Sequence, residues 1–352
     1  MIVIADDITG AAEMAGIAHS HGFPVRLVCG CGTATNGTTV IATDTRSMTE
    51  EEAVAETQRI ASSLPKQGGV GGGSLFKKTD SALRGHVVAE LSALMEATGY
   101  QRTVYLPANP SKGRVIRAGT YYINNTPIHE TAFSYDPEFP ATTSVLKERF
   151  PDAESKGILM PDAENTADIR KVIADYDDGH TLFAGAADLF EATIGTIGTI
   201  DTIGTIAPKS TLFLCGSTQS QPLDLGIPVT AMPLDIYDGS KDILPWLKEA
   251  ERLYTQQGSL MITIPHRHRT GKEVAIHLRE TTARLIQYLV EKQQSQQLII
   301  EGGASAFATL RHLGWNELEV VSQLAPGVIK TKAPNGTFVI MKPGSYPWGS
   351  LF

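Results

Sequence analysis

The feature that most constrains this chain is a repeated exchange between two periodicities. Short runs rich in β-branched residues, at 2–4, 25–28, 39–43, 75–78 and 103–106, alternate with stretches of helical spacing. Thr9-Gly10 opens one such stretch, which runs to about Ser20, and residues 50–63 and 87–98 form two more. In the last, Val87, Leu91 and Leu94 share one face, with Val88 and Met95 beside it. Strands alternating with helices of this length dictate a parallel sheet covered by helices on both faces. Such sheets bind ligands beyond the carboxyl ends of their strands, so the residues just after each strand are those to read for chemistry.

The rhythm lapses over 109–145, an Asn/Pro/Tyr-rich excursion, and resumes at 157–160, 164–174 and 181–183 with a short helix near Ala187. A second series follows, with strands at 211–214, 260–264, 298–300 and 337–341 and helices at 242–256, 273–292 and 305–313. Between the two lies TIGTIGTIDTIGTI, residues 193–206, which contains TIGTI three times. So few short units cannot build a solenoid, and the tract reads as a locally duplicated connector. The expectation is an α/β chain of two domains, 1–206 and 207–352, each a largely parallel sheet flanked by helices. A length of 352 residues suits that division, since a domain takes roughly 100–200.

Charge narrows the partners. With 30 Lys+Arg against 38 Asp+Glu the chain carries −8, which argues against nucleic acid or an anionic membrane surface as the main partner. A small anion is not excluded, because a pocket can be locally basic. No apolar run approaches the roughly 20 residues of a membrane span, and MIVIADD reaches two acids too soon for a signal peptide. A cytoplasmic location is expected. Cys29, Cys31 and Cys215 cannot form a closed disulfide set, and the C-x-C pair has no second ligand pair nearby, so reduced thiols are expected rather than zinc.

Four clusters carry candidate chemistry. Asp6-Asp7-Ile8-Thr9-Gly10 places two carboxylates after the first strand: one can accept a proton from a hydroxyl while the other orients the helix start, although a plain N-cap pair with Thr9 fits too. Asp44-Thr45-Arg46 again follows a strand, where Arg46 is either a carboxylate clamp or a solvated loop charge. The most distinctive is Lys77-Lys78-Thr79-Asp80-Ser81-Ala82-Leu83-Arg84-Gly85-His86, which compresses cations, an acid and hydroxyls into one strand-to-helix turn. That set suits a ligand with one carboxylate and several hydroxyls, Arg taking the carboxylate and Asp and Ser the hydroxyls. The fourth is spread over the C-terminal half: Cys215-Gly216-Ser217-Thr218, Glu301-Gly302-Gly303-Ala304-Ser305 and Lys342-Pro343-Gly344-Ser345 each follow a strand. Small residues there let backbone amides approach phosphate oxygens, and a helix starting at Ser305 adds its positive end. Any one of them alone is read equally well as a turn. The 68–73 glycine run has neither dinucleotide-fingerprint nor P-loop spacing and reads as a loop, as does the His/Arg tract at 266–269.

Taken in order, ADDITGA (5–11), DTR (44–46), KKTDSALRG (77–85), PANPSKGR (107–114), CGST (215–218) and LAPGV (324–328) resemble the four-carbon acid sugar kinase family along nearly the whole chain. The resemblance implies a sugar-acid-binding N-terminal domain, an ATP-binding C-terminal domain and an active site in the inter-domain cleft. It implies ATP- and Mg²⁺-dependent phosphorylation of the terminal hydroxyl of a threonate- or erythronate-like acid to its 4-phosphate. Carried over by position, Asp7 takes the hydroxyl proton, and Asp6, Arg46, Lys78, Asp80, Ser81 and Arg84 bind the acid. Ser217, Gly302, Gly303, Ala304, Ser305 and Gly344 bind ATP. Two departures stand out. The family usually has an acidic residue and Thr after its Gly-Gly, where this chain has Ala304 and Ser305, and its closing Lys-Ser-Gly-Gly-Phe-Gly is replaced by Lys342-Pro343-Gly344-Ser345-Tyr346. The first leaves the metal ligands unassigned and keeps a second reading open, a sugar-acid-binding regulatory protein with a degenerate nucleotide site. A dehydrogenase would need a Rossmann fingerprint, which is missing. The expected partners are the sugar acid and ATP, with a homo-oligomer left open.

Overall fold

The computed structural model describes residues 1–30, 37–64, 74–136, 138–195, 206, 210–217, 223–265, 271–293, 295–344, 348 and 351–352. Cys31, the 68–73 glycine run, most of the 193–206 tract, the 266–269 tract, Thr218, Ser345 and Tyr346 lie outside the described residues. The chain divides into two compact units, Met1–Val25 with Gly30–Thr199, and Arg26–Cys29 with Ile200–Phe352.

The first unit contains β1 (Ile2–Ala5), α1 (Ile8–Ser20), the start of β2 (Val25–Cys29), β3 (Thr38–Ala42), α2 (Glu50–Ala61), β4 (Leu75–Lys78), α3 (Val87–Thr98) and β5 (Arg102–Leu106). It continues through β6 (Arg114–Arg117), β7 (Thr120–Ile123), β8 (Thr126–Pro127), α4 (Leu146–Arg149), β9 (Ile158–Leu159), α5 (Thr166–Tyr176), β10 (Thr181–Gly185) and α6 (Ala187–Thr193). Its main sheet is parallel throughout, in the order β3-β1-β4-β10-β5-β9. Val3, Ile4, Ala5, Val104, Tyr105 and Leu106 are wholly buried, as unbroken apolar strands covered on both faces must be. Residues 109–145 leave this sheet to form a small antiparallel one, β6-β7-β8, and several 3₁₀ turns.

The second unit contains β11 (Thr211–Cys215), β12 (Val229–Ala231), α7 (Leu234–Tyr237), α8 (Leu244–Gln257), β13 (Leu260–Thr263), α9 (Lys272–Lys292), β14 (Gln297–Glu301), α10 (Gly303–His312), β15 (Glu317–Ala325), β16 (Val328–Lys332) and β17 (Phe338–Lys342). Strands β12-β13-β11-β14-β17 are parallel, and β16 and β15 extend that sheet antiparallel. Arg26–Cys29 of β2 joins this unit by antiparallel pairing with β15. Phe213, Ile299 and Ile340 from three neighbouring strands pack with Trp348 and Leu351 in one apolar cluster.

Two expectations are revised in detail. The antiparallel β15–β16 hairpin was not expected from the sequence, although Pro326-Gly327 between two apolar runs is an ordinary turn signal. Helix α10 begins at Gly303, two residues before the expected start, because Gly302 at φ 107° turns the chain into the helix directly from β14. Among the described residues no helix is long and apolar enough to cross a membrane.

Candidate functional site

In the first unit β1 lies between β3 and β4, and the chain visits β3 on one side of it before the α2 crossover carries it past to β4 on the other. The chain diverges there, and the carboxyl ends of those three strands carry the three N-terminal clusters. Asp7 is the N-cap of α1: its Oδ1 accepts from the Gly10 amide at 2.8 Å and its Oδ2 from the Thr9 hydroxyl at 2.5 Å. Arg46, set on a 3₁₀ turn after Asp44, reaches both acids of the first cluster. Its Nε and Nη2 lie 2.9 and 2.8 Å from Asp6 Oδ2, and its Nη1 is 3.0 Å from Asp7 Oδ2. The same Nη1 is 3.6 Å from Asp80 Oδ1. Arg84 then closes on Asp80 from the other side in a fork, Nε to Oδ2 at 2.9 Å and Nη2 to Oδ1 at 3.0 Å. Asp80 Oδ2 also accepts from the amides of Ala82 and Arg84, which folds the 80–84 segment into a tight turn. Lys78 Nζ donates to the Thr79 carbonyl at 2.8 Å and lies 3.8 Å from Glu13 Oε2.

Asp6, Arg46, Asp80 and Arg84, four of the six expected acid-binding residues, therefore form with Asp7 one connected patch of alternating charge, and Lys78 acts on Asp7 and Asp80 from beside it. Burial pushes the Asp6 carboxyl up to about 6; Arg46 opposes that and Asp7 reinforces it. Burial also acts against ionised Asp7, but Arg46, Lys78 and the two hydrogen bonds from Thr9 and Gly10 outweigh it and hold the group below the usual carboxylate range. Asp80 is held well below that range, because Arg46 and Arg84 outweigh the burial that opposes ionisation. Asp6 Oδ1 is buried with no hydrogen-bond partner. Of the two neighbours Asp7 is the more exposed, at 18% against 4% for the side chain.

Ser81, the remaining expected residue, takes a contact from Arg114 Nη1, and its carbonyl accepts from the Tyr121 hydroxyl at 2.5 Å. The 107–114 segment, which resembled the family but was assigned no role, is thus part of the same surroundings. Lys112 pairs with Glu13, and Ser111 is held by Asp188 through both its amide (2.8 Å) and its hydroxyl (2.6 Å). Sequence reading also missed Glu90. Its Oε2 accepts from Lys77 Nζ at 2.5 Å, from the Thr45 hydroxyl at 3.0 Å and from the Thr57 hydroxyl at 3.4 Å, all buried. Lys77 is thereby a structural cation, and Glu90 ties the end of β4 to the turn that carries Arg46. Glu90 lies 13 positions from Lys77, on the following helix, so nothing local in the sequence pairs the two.

In the second unit the three glycine-containing loops follow β11, β14 and β17, which are adjacent in the sheet. The Gly216 amide donates to the Glu301 carbonyl and the Gly302 amide to the Lys342 carbonyl, each at 2.9 Å. Ser305 Oγ donates to the Gly216 carbonyl at 3.0 Å. A Cβ on Gly344 would fall 2.1 Å from Ser217 Oγ, so only glycine lets those loops touch. Gly303, Ala304 and Ser305 form the first turn of α10, whose N-cap supplies no side-chain hydrogen bond. This is a cradle of backbone amides at a helix N-terminus, the arrangement that receives phosphate. Lys342 is spent below it, 2.6 Å from Glu301 Oε1 and 2.9 Å from the Pro343 carbonyl, both side chains buried. Burial and the nearby Glu301 push the Cys215 thiol up to about 12, so it is no nucleophile.

The fit to a nucleotide is good and the fit to a protein-held metal is not. Among the described residues no three His, Cys, Asp or Glu side chains converge to hold an ion. Glu301, beside the glycine turn, is neutralised by Lys342, and Ala304 offers no oxygen ligand in its side chain.

Comparison with known proteins matches these two units separately. Residues 1–153 match the model of a sugar-binding N-terminal domain, and residues 225–346 that of a nucleotide-binding C-terminal domain. Among solved structures, a Salmonella typhimurium protein described as a putative tRNA synthase aligns over 98% of this chain and 96% of its own (TM-score 0.75, 19% identity). A Haemophilus influenzae protein aligns over 100% and 98% (TM-score 0.70, 19% identity). At that identity both speak for the fold alone. The fold and the two family models together describe a two-domain α/β protein, with an N-terminal domain of the sugar-binding type and a C-terminal domain of the nucleotide-binding type.

Curated relatives narrow the class. The D-threonate kinase of Salmonella typhimurium is 30% identical over 151 residues, 42% of this chain and 35% of that protein. The 3-oxo-tetronate kinase of Escherichia coli is 32% identical over 160 residues, 44% and 41%. The D-erythronate kinase of Heliobacterium modesticaldum is 28% identical over 153 residues, 42% and 34%. The matched stretch spans well under half the length of each of these relatives. The chain belongs to the four-carbon acid sugar kinase family.

Proposed function

We propose that this chain is an ATP-dependent kinase that phosphorylates the terminal hydroxyl of a four-carbon sugar acid, threonate- or erythronate-like, to the 4-phosphate. Residues 1–206 bind the acid and residues 207–352 the nucleotide. The observation that carries the reading is the interlocked Asp6, Asp7, Arg46, Asp80 and Arg84 patch at the point where the sugar-binding sheet diverges. A hydroxylated anion needs acceptors for its hydroxyls and cations for its charge, all held rigid before it arrives.

Within that patch Asp7 takes the proton of the attacking hydroxyl. It is the more exposed of the paired acids and is kept ionised by Arg46 and Lys78. Its basicity is low, but phosphoryl transfer through a loose transition state asks more for positioning than for a strong base. The hydroxyl oxygen forms the new bond to the γ-phosphorus, the bond to the bridging oxygen breaks, and ADP leaves. Asp6, Lys78, Asp80, Ser81 and the two arginines orient the acid. The amides of Gly303 and Ala304, with Ser217, Gly302, Ser305 and Gly344 around them, hold the nucleotide phosphates. Mg²⁺ enters as the counter-ion of those phosphates, and no side chain of this protein is assigned to it. A cytoplasmic setting goes with this reading, and the buried free thiol of Cys215 is compatible with it.

Ala304 favours one competing reading, a regulator that binds the acid without turning over ATP. ADP release and acid binding, measured on the same preparation, separate the two. A kinase shows both, whereas a regulator shows binding alone.

A further inference from the structure

Every expected carboxylate clamp in the first unit already has a carboxylate. Arg46 is occupied by Asp6 and Asp7, and Arg84 by Asp80 with Asp136 at 3.4 Å. Lys77 is occupied by Glu90, and Lys78 and Lys112 share Glu13. Arg149 forms no ion pair among the described residues, though Asp136 acts on it at longer range, and the carbonyls of Leu83, Phe139 and Pro140 take its guanidinium. Arg114 differs from all of these. Its guanidinium touches Ser81 Oγ and lies beside the Tyr121 hydroxyl, both neutral, and no carboxylate among the described residues pairs with it. Part-buried beside the acidic patch and paired with no carboxylate among the described residues, it is the group best placed to gain from an incoming anion.

Its position is also fixed. Arg114 opens β6, and its backbone exchanges two hydrogen bonds with Asn109, at 2.7 and 3.1 Å. The Asn109 side chain is anchored in turn by the Asp188 amide at 3.2 Å. The Arg114 and Arg84 guanidinia lie over the same Phe133 ring, 5.7 and 5.8 Å from its centre, which brings the free cation to the edge of the patch. Ser81 accepts from Arg114 and donates to no residue among those described, so its proton is available to the same ligand.

We infer that Arg114, with the Ser81 hydroxyl beside it, grips the carboxylate of the substrate, while Arg46 and Arg84 act by holding Asp6, Asp7 and Asp80 in place. The assignment rests on the sugar-acid reading above. It makes Arg114 the residue that distinguishes an acid from the uncharged sugar of the same shape.

The test is calorimetric and needs no turnover. The full chain is titrated with threonate and erythronate and with their uncharged carboxamides. The unmodified protein should prefer acid to amide by about 10–100-fold, the worth of one charge-assisted contact. Arg114→Ala should remove that preference by weakening the acid while leaving the amide within about 3-fold, and Arg114→Lys should fall between them, keeping charge but not the fork. Retention of the acid preference in Arg114→Ala overturns the assignment, as does its collapse in Arg84→Ala instead. Equal weakening of acid and amide in Arg114→Ala marks a structural role and overturns it too. An unmodified chain that binds neither acid sinks the sugar-acid reading and the clamp together, an outcome distinct from all the others.

Discussion

Removing Arg46 perturbs the site most informatively, because one guanidinium compensates three carboxylates at once. Its side chain is 17% exposed, and those of Asp6, Asp7 and Asp80 are 4%, 18% and 11% exposed. Arg46→Ala therefore leaves buried acids facing one another with Lys77, Lys78 and Arg84 as the cations still near them. Removing one partner of a buried pair costs about 3–5 kcal/mol, which in a domain of this size is about 6–20 °C in Tm. The loss should depend on pH, and its sign follows from linkage. Without the cation, the folded pKa values of Asp6, Asp7 and Asp80 all rise. A carboxyl whose folded pKa exceeds its unfolded value of 3.8 loses stability as pH rises through that window. The Tm deficit of Arg46→Ala should thus be larger at pH 8 than at pH 5, read by circular dichroism melts in one ionic strength. A deficit below about 2 °C, or one equal at the two pH values, would refute the claim that Arg46 is the electrostatic keystone of the patch.

Three further expectations follow from single groups. Asp7→Asn should lower kcat by about 10²–10⁴-fold in an ADP-release assay, and a near-normal kcat would remove Asp7 from proton transfer. Asp6 carries a folded pKa raised to about 6, so its contribution to stability falls as pH rises from 3.8 to about 6. The Tm of Asp6→Asn relative to the parent should climb through that window and level off above it; a flat difference contradicts the raised value. At Gly302 a side chain would need φ 107° and would sit 3.3 Å from the Gly216 backbone. Gly302→Ala should weaken nucleotide binding by about 5–100-fold through that strain while leaving acid binding unchanged, and unaltered ATP affinity would count against the amide cradle.

What the sequence made legible depended on how local the physics was. The β1 to β5 alternation and the helices at 50–61 and 87–98 follow from periodicity, because burial on both faces of a parallel sheet writes apolar runs directly into the chain. Asp6, Asp7, Arg46, Asp80 and Arg84 were found because each lies within a few residues of a strand end, and topology then brings strand ends together. Partner choice was not legible. Nothing local shows that Arg46 spends itself on acids about forty positions away, that Glu90 on α3 collects Lys77, Thr45 and Thr57, or that Arg114 reaches the Ser81 hydroxyl. The Asn/Pro/Tyr-rich excursion looked like connecting loop for the same reason: its strands are two to four residues long, too short for a period to register. In the second unit Lys342 followed a strand as a phosphate-binding lysine would, yet the fold buries it against Glu301.

The central claim, that this chain transfers phosphate from ATP to a four-carbon sugar acid, is tested most directly by ADP release across a panel of threonate, erythronate and their keto relatives, with the product located by phosphorus NMR. Acid-dependent ADP release with at least one member, and phosphate on the terminal oxygen, are expected. Tight binding of a panel acid with no ADP release, at saturating ATP and Mg²⁺, would contradict it and leave the regulator.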